Sequence, residues 1–326
     1  MEKTIDVVAL GELLIDMTNN GVSANNNDMF EANPGGAPCN VLAMLKRFGH
    51  EVSFIGKVGD DMFGRKLKNT LKEVGIDTDN LMMDKEVHTT LAFVETFPDG
   101  DRDFSFYRNP GADMMLTKDE IDVDTIKSAK VFHFGTLSMT HELVREATLF
   151  ALEQAKESGA IITFDPNLRE PLWNSLDEAK TQILKGMEYC DYLKISDNEI
   201  QWLTGEEDYI AGVHKIRESF NIPFITVSMG KDGSLGSYVD KDGKEIIVES
   251  KPFLSDETIE TTGAGDTFCG CVIHFLLKYG INGLDEDRIR EMLEYANAAA
   301  SLITRVKGAL RVMPELKDVE ALLQTR

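Results

Sequence analysis

The sequence predicts an α/β protein built on an open, mostly parallel sheet, and three observations carry that expectation. From Val131 onward short apolar runs alternate with an amphipathic segment: Val131 to Phe134, Glu142 to Glu157 and Ala160 to Phe164 read as strand, helix, strand. Right-handed βαβ units covered by helices give that pattern. Between Leu91 and Tyr107 two strand-like runs flank Pro98-Asp99-Gly100-Asp101, a hairpin candidate that could close over a site. Finally, Glu260-Thr261-Thr262-Gly263-Ala264-Gly265-Asp266-Thr267-Phe268 runs into the apolar stretch Cys269 to Leu277, so a tight turn feeds a helix N-terminus.

Composition narrows the function classes. A formal net charge of -22 repels nucleic-acid phosphates and anionic membrane surfaces, and no Lys/Arg run offers a local exception, which argues against nucleic-acid partners. With 42% hydrophobic and 28% charged residues, a chain of 326 residues can bury one large core. The cysteines Cys39, Cys190, Cys269 and Cys271 lack zinc-site spacing and no secretory signal precedes them, so reduced thiols in the cytoplasm are expected. Apolar stretches such as Cys269 to Leu277 are too short to span a bilayer, which leaves no membrane role.

Taken in order, Ile5 to Leu10 reads as a strand, followed by Gly11-Glu12 and a second apolar run ending at Asp16 and Met17. Asp16 suits the hydroxyls of a polyol, or equally a solvent-facing strand position. Asn19 to Asn27 lacks apolar periodicity and is expected as a loop or the edge of a lid. Asn33-Pro34-Gly35-Gly36-Ala37-Pro38-Cys39-Asn40 brings loop breakers to the start of a helix running toward Phe48, so backbone at Gly35 and Gly36 can approach a ligand. Asn40 there serves as a sugar contact or a helix cap. Val52 to Val58 is a strand, and Phe63 to Val74 a helix ended by Gly75. Phe104 and Phe106 share one face of the hairpin and are expected to pack, while Arg108 follows it as a cation that either returns toward a substrate or stays on the surface.

Asp165-Pro166-Asn167-Leu168-Arg169 lies at the carboxyl end of a strand, where open α/β sheets place ligands, so Arg169 is a candidate phosphate contact. The strand Tyr192 to Ile195 leads into Ser196-Asp197-Asn198-Glu199, whose glutamate could hold Mg²⁺ directly or through water, or simply start a helix. Pro223 to Val227 is a further strand, and Ser228, Gly230 and Gly233 in the loop after it suit either a nucleotide or a hairpin turn. Ser234 to Val239 and Glu245 to Val248 make a second hairpin, and helices follow from Asp285 to Thr304 and from Pro314 to Leu323.

The glycine-rich turn carries the sharpest chemistry. Amides near Gly263 and Gly265 attract an anion, and a carboxylate beside that anion is unexpected unless it has a task. Proton abstraction by Asp266 from a hydroxyl, with the amides stabilising a transferring phosphoryl group, is such a task. No Gly-Lys-Ser/Thr follows, so the turn is not a Walker A loop.

Four ordered stretches, 35–40, 106–113, 165–169 and 261–266, together resemble the PfkB, or ribokinase-like, sugar kinases, and among them the bacterial fructokinases. The resemblance implies a single three-layer α/β/α domain over residues 1–326 with a small β-lid in segments around 12–33 and 88–112. It implies transfer of the ATP γ-phosphoryl group to a sugar hydroxyl, D-fructose giving fructose 6-phosphate, with 2-keto-3-deoxygluconate or a riboside as the alternative acceptors and a silent sugar-binding protein as the remote one. Asp266 takes the base position, and Gly263, Ala264 and Gly265 the anion-hole amides. Asp16, Gly35, Gly36, Asn40, Arg108 and Arg169 take sugar-side positions; Ser196, Glu199, Ser228, Gly230, Gly233 and Asn297 take ATP-side positions. Glu199 would organise Mg²⁺ through water. Glu260 stands where an aspartate helps hold a monovalent cation, which makes potassium a candidate, although Val312 replaces a commonly polar residue of the same cation loop. Leu42 replaces a small residue after Asn40. The resemblance further implies a homodimer formed through the lid.

Overall fold

The structure, a computed structural model, describes residues 2–96 and 102–325; the turn expected at Pro98–Asp101 lies outside them. Its strands are β1 (Ile5–Leu10), β2 (Leu14–Val22), β3 (Asp28–Gly35), β4 (Val52–Gly59), β5 (Leu81–Asp84), β6 (Leu91–Thr96), β7 (Arg102–Tyr107), β8 (Ala129–Phe134), β9 (Ile161–Phe164), β10 (Tyr192–Ser196), β11 (Phe224–Ser228), β12 (Ser234–Val239) and β13 (Glu245–Ser250). The helices are α1 (Ala37–Arg47), α2 (Met62–Glu73), α3 (Val123–Lys127), α4 (Glu142–Glu157), α5 (Leu176–Met187), α6 (Asp197–Thr204), α7 (Tyr209–Arg217), α8 (Ala264–Tyr279), α9 (Glu286–Ile303) and α10 (Leu316–Leu323).

Among the described residues the main sheet has nine strands in the order β13-β12-β11-β10-β9-β8-β1-β4-β5, and every neighbouring pair is parallel except those made by β12. Alternating strand side chains feed two cores. Val7 and Ala9 pack with α1, α2, α8 and α9 on one face, while Val8 and Leu10 pack with α3 to α7 on the other. This is a three-layer arrangement in which both faces of each central strand are apolar, as buried parallel strands require. The chain builds outward from β1 to β5 on one side and from β8 to β13 on the other, so the strand order reverses between β1 and β8. That reversal opens a crevice at the carboxyl ends of those strands.

A second sheet, β3-β2-β6-β7, stands over the crevice. It refines the expectation of a loop or lid edge for Asn19 to Asn27: Asn19 to Val22 is strand in this sheet, pairing with β3 across a register shift between Asn19 and Val22, and 23–27 is the turn between them. Polar strand residues are tolerated because this end of the sheet faces solvent rather than core. The expected lid hairpin is β6 paired antiparallel with β7, and β2 joins it in parallel through Asp16↔Ala92.

Helix ends fall where local chemistry places them. Asp61 caps α2 by accepting from the amides of Phe63 and Gly64, and Asp285 caps α9 through Arg288. Helix α8 is different: its N-cap is Gly263 in the left-handed region at φ 77, with no side chain to cover the first-turn amides. Farther along α8, a Cβ on Gly270 would lie 2.9 Å from Met44 Cβ and 3.1 Å from the Val41 carbonyl of α1, so the missing side chain lets the two helices approach. Cys269 and Cys271, like the other cysteines, are buried and free.

Candidate active site

The lid, the start of α1, the strand ends and the α8 turn enclose a cavity of ≈ 340 Å³. At its base Asn40 Nδ2 donates to Asp266 Oδ2 over 2.8 Å, joining two residues 226 positions apart. The close α1–α8 packing at Gly270 makes that contact available. Asp266 is 8% exposed. Burial raises the affinity of its carboxyl for a proton, opposed by the Asn40 hydrogen bond and by Lys194, Arg169 and Asn167. A carboxylate poised upward in this way is a stronger base than an exposed aspartate.

Gly263 and Gly265 line the cavity beside Asp266, so the positive end of α8 faces its interior. The opposite wall carries polyol chemistry. Asp16 projects from β2, its carboxyl pushed up to about 7 by burial and by Glu260 and Asp266, with Arg169 opposing. A side chain at Gly35 would collide with the Asp16 carboxylate, so Gly35 acts by leaving Asp16 its place while Gly36 lines the cavity itself. Asn167 lies on the wall at φ 48, an uncommon backbone for a non-glycine residue, and accepts from Arg169 Nη2 at 3.3 Å.

Two residues, Phe106 and Arg108, differ from their sequence expectation, and Glu12 joins the site without one. Phe106 lines the cavity from the lid instead of only packing, while the Phe104 side chain lies outside the described residues. Arg108 does not line it: Nε and Nη2 each lie 2.7 Å from Asp113 Oδ2, Nη1 donates to Thr140 at 2.8 Å and Nη2 to the Leu137 carbonyl at 2.9 Å. It is a buried clamp between the root of the lid and the sheet. Glu12, which carried no assignment, lines the cavity with a carboxyl pushed up to about 7 by burial and accepts from the Ala37 amide at 2.8 Å.

The residues expected on the ATP side collect at the adjoining strand ends. Ser196 and Ser228 end β10 and β11 directly opposite each other, and Gly230 and Gly233 turn the chain into β12. Gly233, at φ 98, leaves no room for a side chain against the Ser250 carbonyl. Asn297 on α9 donates to Ser250 Oγ at 3.1 Å and to the Lys251 carbonyl at 3.2 Å, fixing the exit of β13. Glu199 accepts from the Leu168 amide at 2.7 Å and from the Ser196 amide and hydroxyl at 2.9 and 2.7 Å. Lys194 and these donors overcome burial and hold it below the usual carboxylate range. Both its oxygens are engaged, and no group of three His, Cys, Asp or Glu residues able to hold a metal exists among the described residues. These groups therefore fit Mg²⁺ only as water-bridged support, with direct ligands coming from elsewhere. Glu260 accepts from the Thr262 hydroxyl at 2.6 Å and from the Gly308 amide at 3.1 Å, tying the turn before α8 to the loop after α9. Leu42 lies fully buried in the core.

Sequence reasoning also passed over Lys194. It stands inside an apolar strand with its ammonium 3.0 Å from Asp165 Oδ2, and a lone lysine among Tyr192, Leu193 and Ile195 was the signal.

The profile of the pfkB family carbohydrate kinases matches residues 4–316. The chain is 40% identical over 325 residues to probable fructokinase-4 of Arabidopsis thaliana, covering 99% of this chain and 98% of that one. The crystal structure of a fructokinase with bound ATP from Xylella fastidiosa superimposes with a TM-score of 0.88 at 29% identity, over 100% of this chain and 99% of that chain. A fructokinase double mutant from Vibrio cholerae O395, in its fructose-, ADP- and potassium-bound form, has a TM-score of 0.84 at 28% identity, over 99% of each chain.

Proposed function

The chain belongs to the pfkB family of carbohydrate kinases, and from that premise we propose that it is an ATP-dependent fructokinase making fructose 6-phosphate. The observation that carries the reading is Asp266, buried and steered by Asn40, at the N-terminal turn of α8, which no side chain caps, on the floor of a lidded polar cavity. Asp16, Asn40, Asn167 and Arg169 offer acceptors and donors to sugar hydroxyls, and Phe106 with the lid limits water, a competing acceptor.

The reaction is a single in-line displacement. Asp266 takes the proton of the sugar C6 hydroxyl, its oxygen bonds to the γ-phosphorus, and the bond from that phosphorus to the β–γ bridging oxygen breaks to release ADP. The α8 amides at Gly263, Ala264 and Gly265 stabilise charge on the transferring group. The nucleotide lies along Ser196, Ser228, Gly230 and Gly233, with Asn297 holding the wall behind it. Glu199 would support Mg²⁺ through water, and the ion would supply neutralisation of the phosphate charge. Potassium is part of the proposal at the junction that Glu260 ties together. The same reading places two lids against each other in a homodimer: Phe30, Phe93 and Tyr107 form an aromatic cluster on the lid, with Tyr107 67% exposed. No helix among the described residues is long and apolar enough to cross a membrane, and a cytoplasmic site of action belongs to the proposal.

The test is ADP production from Mg²⁺-ATP with fructose, ribose, glucose, 2-keto-3-deoxygluconate, adenosine and aminoimidazole riboside, with and without potassium. Preference for fructose supports the reading. Preference for another acceptor keeps the kinase and rejects the fructokinase, and silence throughout favours a binding protein.

A further inference from the structure

We propose that Lys194 is a positioning residue for phosphoryl transfer, its ammonium seated behind the Gly265 turn of the anion cradle and held there by Asp165. The inference rests on the kinase reading above. Lys194 and Asp165 have side chains only 6% and 1% exposed, 3.0 Å apart. Among the described residues neither Asp165 oxygen has a well-aligned hydrogen-bond donor, and Lys194 is the cation that faces its carboxylate. A buried pair of this kind contributes little net stability compared with apolar side chains of similar volume. The geometry around Gly265 supplies another role.

Gly265 shows what that role is. Its backbone is helical and lies outside the left-handed region, so conformational freedom is not the reason for glycine. A Cβ there would come within 3.1 Å of Lys194 Nζ and 3.7 Å of Cε. The missing side chain makes room for the ammonium, while the same residue lines the cavity. A cation is thus stacked on the positive end of the α8 dipole. Without an anion that arrangement is repulsive, and Asp165 offsets it; with a phosphoryl group in the cradle, both positive elements act on the same charge.

The groups facing Lys194 are Asp165 on the β9 exit, Glu199 on α6, Asp266 and Cys269 on α8, and His133 on β8. His133 is held neutral by burial, its pKa lowered to about 3, and burial keeps Cys269 a thiol. The field at Asp266 is therefore set by the Lys194 and Arg169 cations against the Asp165 and Asp16 carboxyls, each of these two pushed up to about 7 by burial. Lys194 keeps its proton through the reaction and favours the ionised, base-competent form of Asp266.

The experiment compares wild type, Lys194→Met, Gly265→Ala and the double variant Asp165→Asn/Lys194→Met, which leaves no orphaned buried charge if the single variant fails to fold. With fructose and Mg²⁺-ATP, each variant should lose on the order of 10- to 100-fold in kcat, with the fructose KM little changed. In Lys194→Met the acid limb of kcat should also move to higher pH, whereas in the double variant, which also loses the opposing Asp165 charge, the loss should fall on kcat with the limb nearly in place. A folded double variant with wild-type kcat, or a folded Lys194→Met with reduced kcat and an unmoved acid limb, overturns the assignment. Wild type inactive on fructose defeats instead the fructokinase reading on which it rests, so the two failures are told apart.

Discussion

Replacing Arg108 by methionine separates two roles that the sequence could not distinguish. Arg108 could contact the sugar, as the resemblance implies, or hold the lid to the sheet, as its bonds to Asp113, Thr140 and the Leu137 carbonyl indicate. The side chains of Arg108 and Asp113 are each 2% exposed, so Arg108→Met strands a buried carboxylate left, among the described residues, with the Thr90 hydroxyl at 2.5 Å. Breaking a buried pair from one side costs about 3–5 kcal/mol. At roughly 2 °C per kcal/mol for a chain of this size, scanning calorimetry should show Tm lowered by about 6–10 °C. Arg108→Met/Asp113→Leu removes both charges and should recover most of that loss. Sugar affinity would fall only as far as the lid loosens, since Leu137 lines the cavity while Arg108 does not. Unchanged Tm together with a large rise in fructose KM would refute the clamp and return Arg108 to the sugar site.

Two further outcomes follow from the same geometry. Gly270→Ala puts a methyl group 2.9 Å from Met44 Cβ at the α1–α8 contact, which should cost about 1–3 kcal/mol in urea unfolding and lower kcat by drawing Asn40 away from Asp266; an unaltered kcat in the folded variant would show that this packing does not set the catalytic contact. His274 is half-buried, stacks on Phe48 with centroids 3.8 Å apart and lies 2.8 Å from His50 Nε2, and burial lowers its pKa to about 4. Because the folded pKa lies below the unfolded value, its contribution is present above about pH 6.5 and is lost as pH falls toward 4. His274→Phe should keep the stacking and flatten the loss of Tm across that window, whereas an equally steep loss would place the acid sensitivity elsewhere.

Much of the fold was legible because its signals are local. The βαβ alternation after Val131 and the Gly263 turn into an apolar helix depend on period and on turn chemistry, and both appear in the structure as read. Strand β2 past Asn19 was not legible, since Asn19, Asn20 and Gly21 have poor strand propensity; pairing of Asn19 with Phe30 and of Val22 with Asp28 carries the strand across an irregularity in which Gly21 takes φ 83. The short strand β5 and helices α5 and α7 passed without expectation for the related reason that flanking elements help define them. In the site, Asp266, Asn40 and Asp16 meet because α1, β2 and α8 converge, and motifs alone could nominate them. Their environments were beyond reach. A cation after a hairpin looks the same whether it turns to a ligand or to Asp113. A lysine inside a strand gives no sign that its ammonium will fill the space left by a glycine 71 positions later.

The most direct measurement of the central claim is a single-turnover reaction of Mg²⁺-ATP with fructose in wild type and Asp266→Asn, with fructose binding followed in parallel by calorimetry. The account expects the variant to bind fructose nearly as wild type does and to lose transfer by at least about 10³-fold, in the range for removing a positioned general base. Transfer at a wild-type rate in a variant that binds fructose normally would contradict it, and the proton would then have to leave by another route.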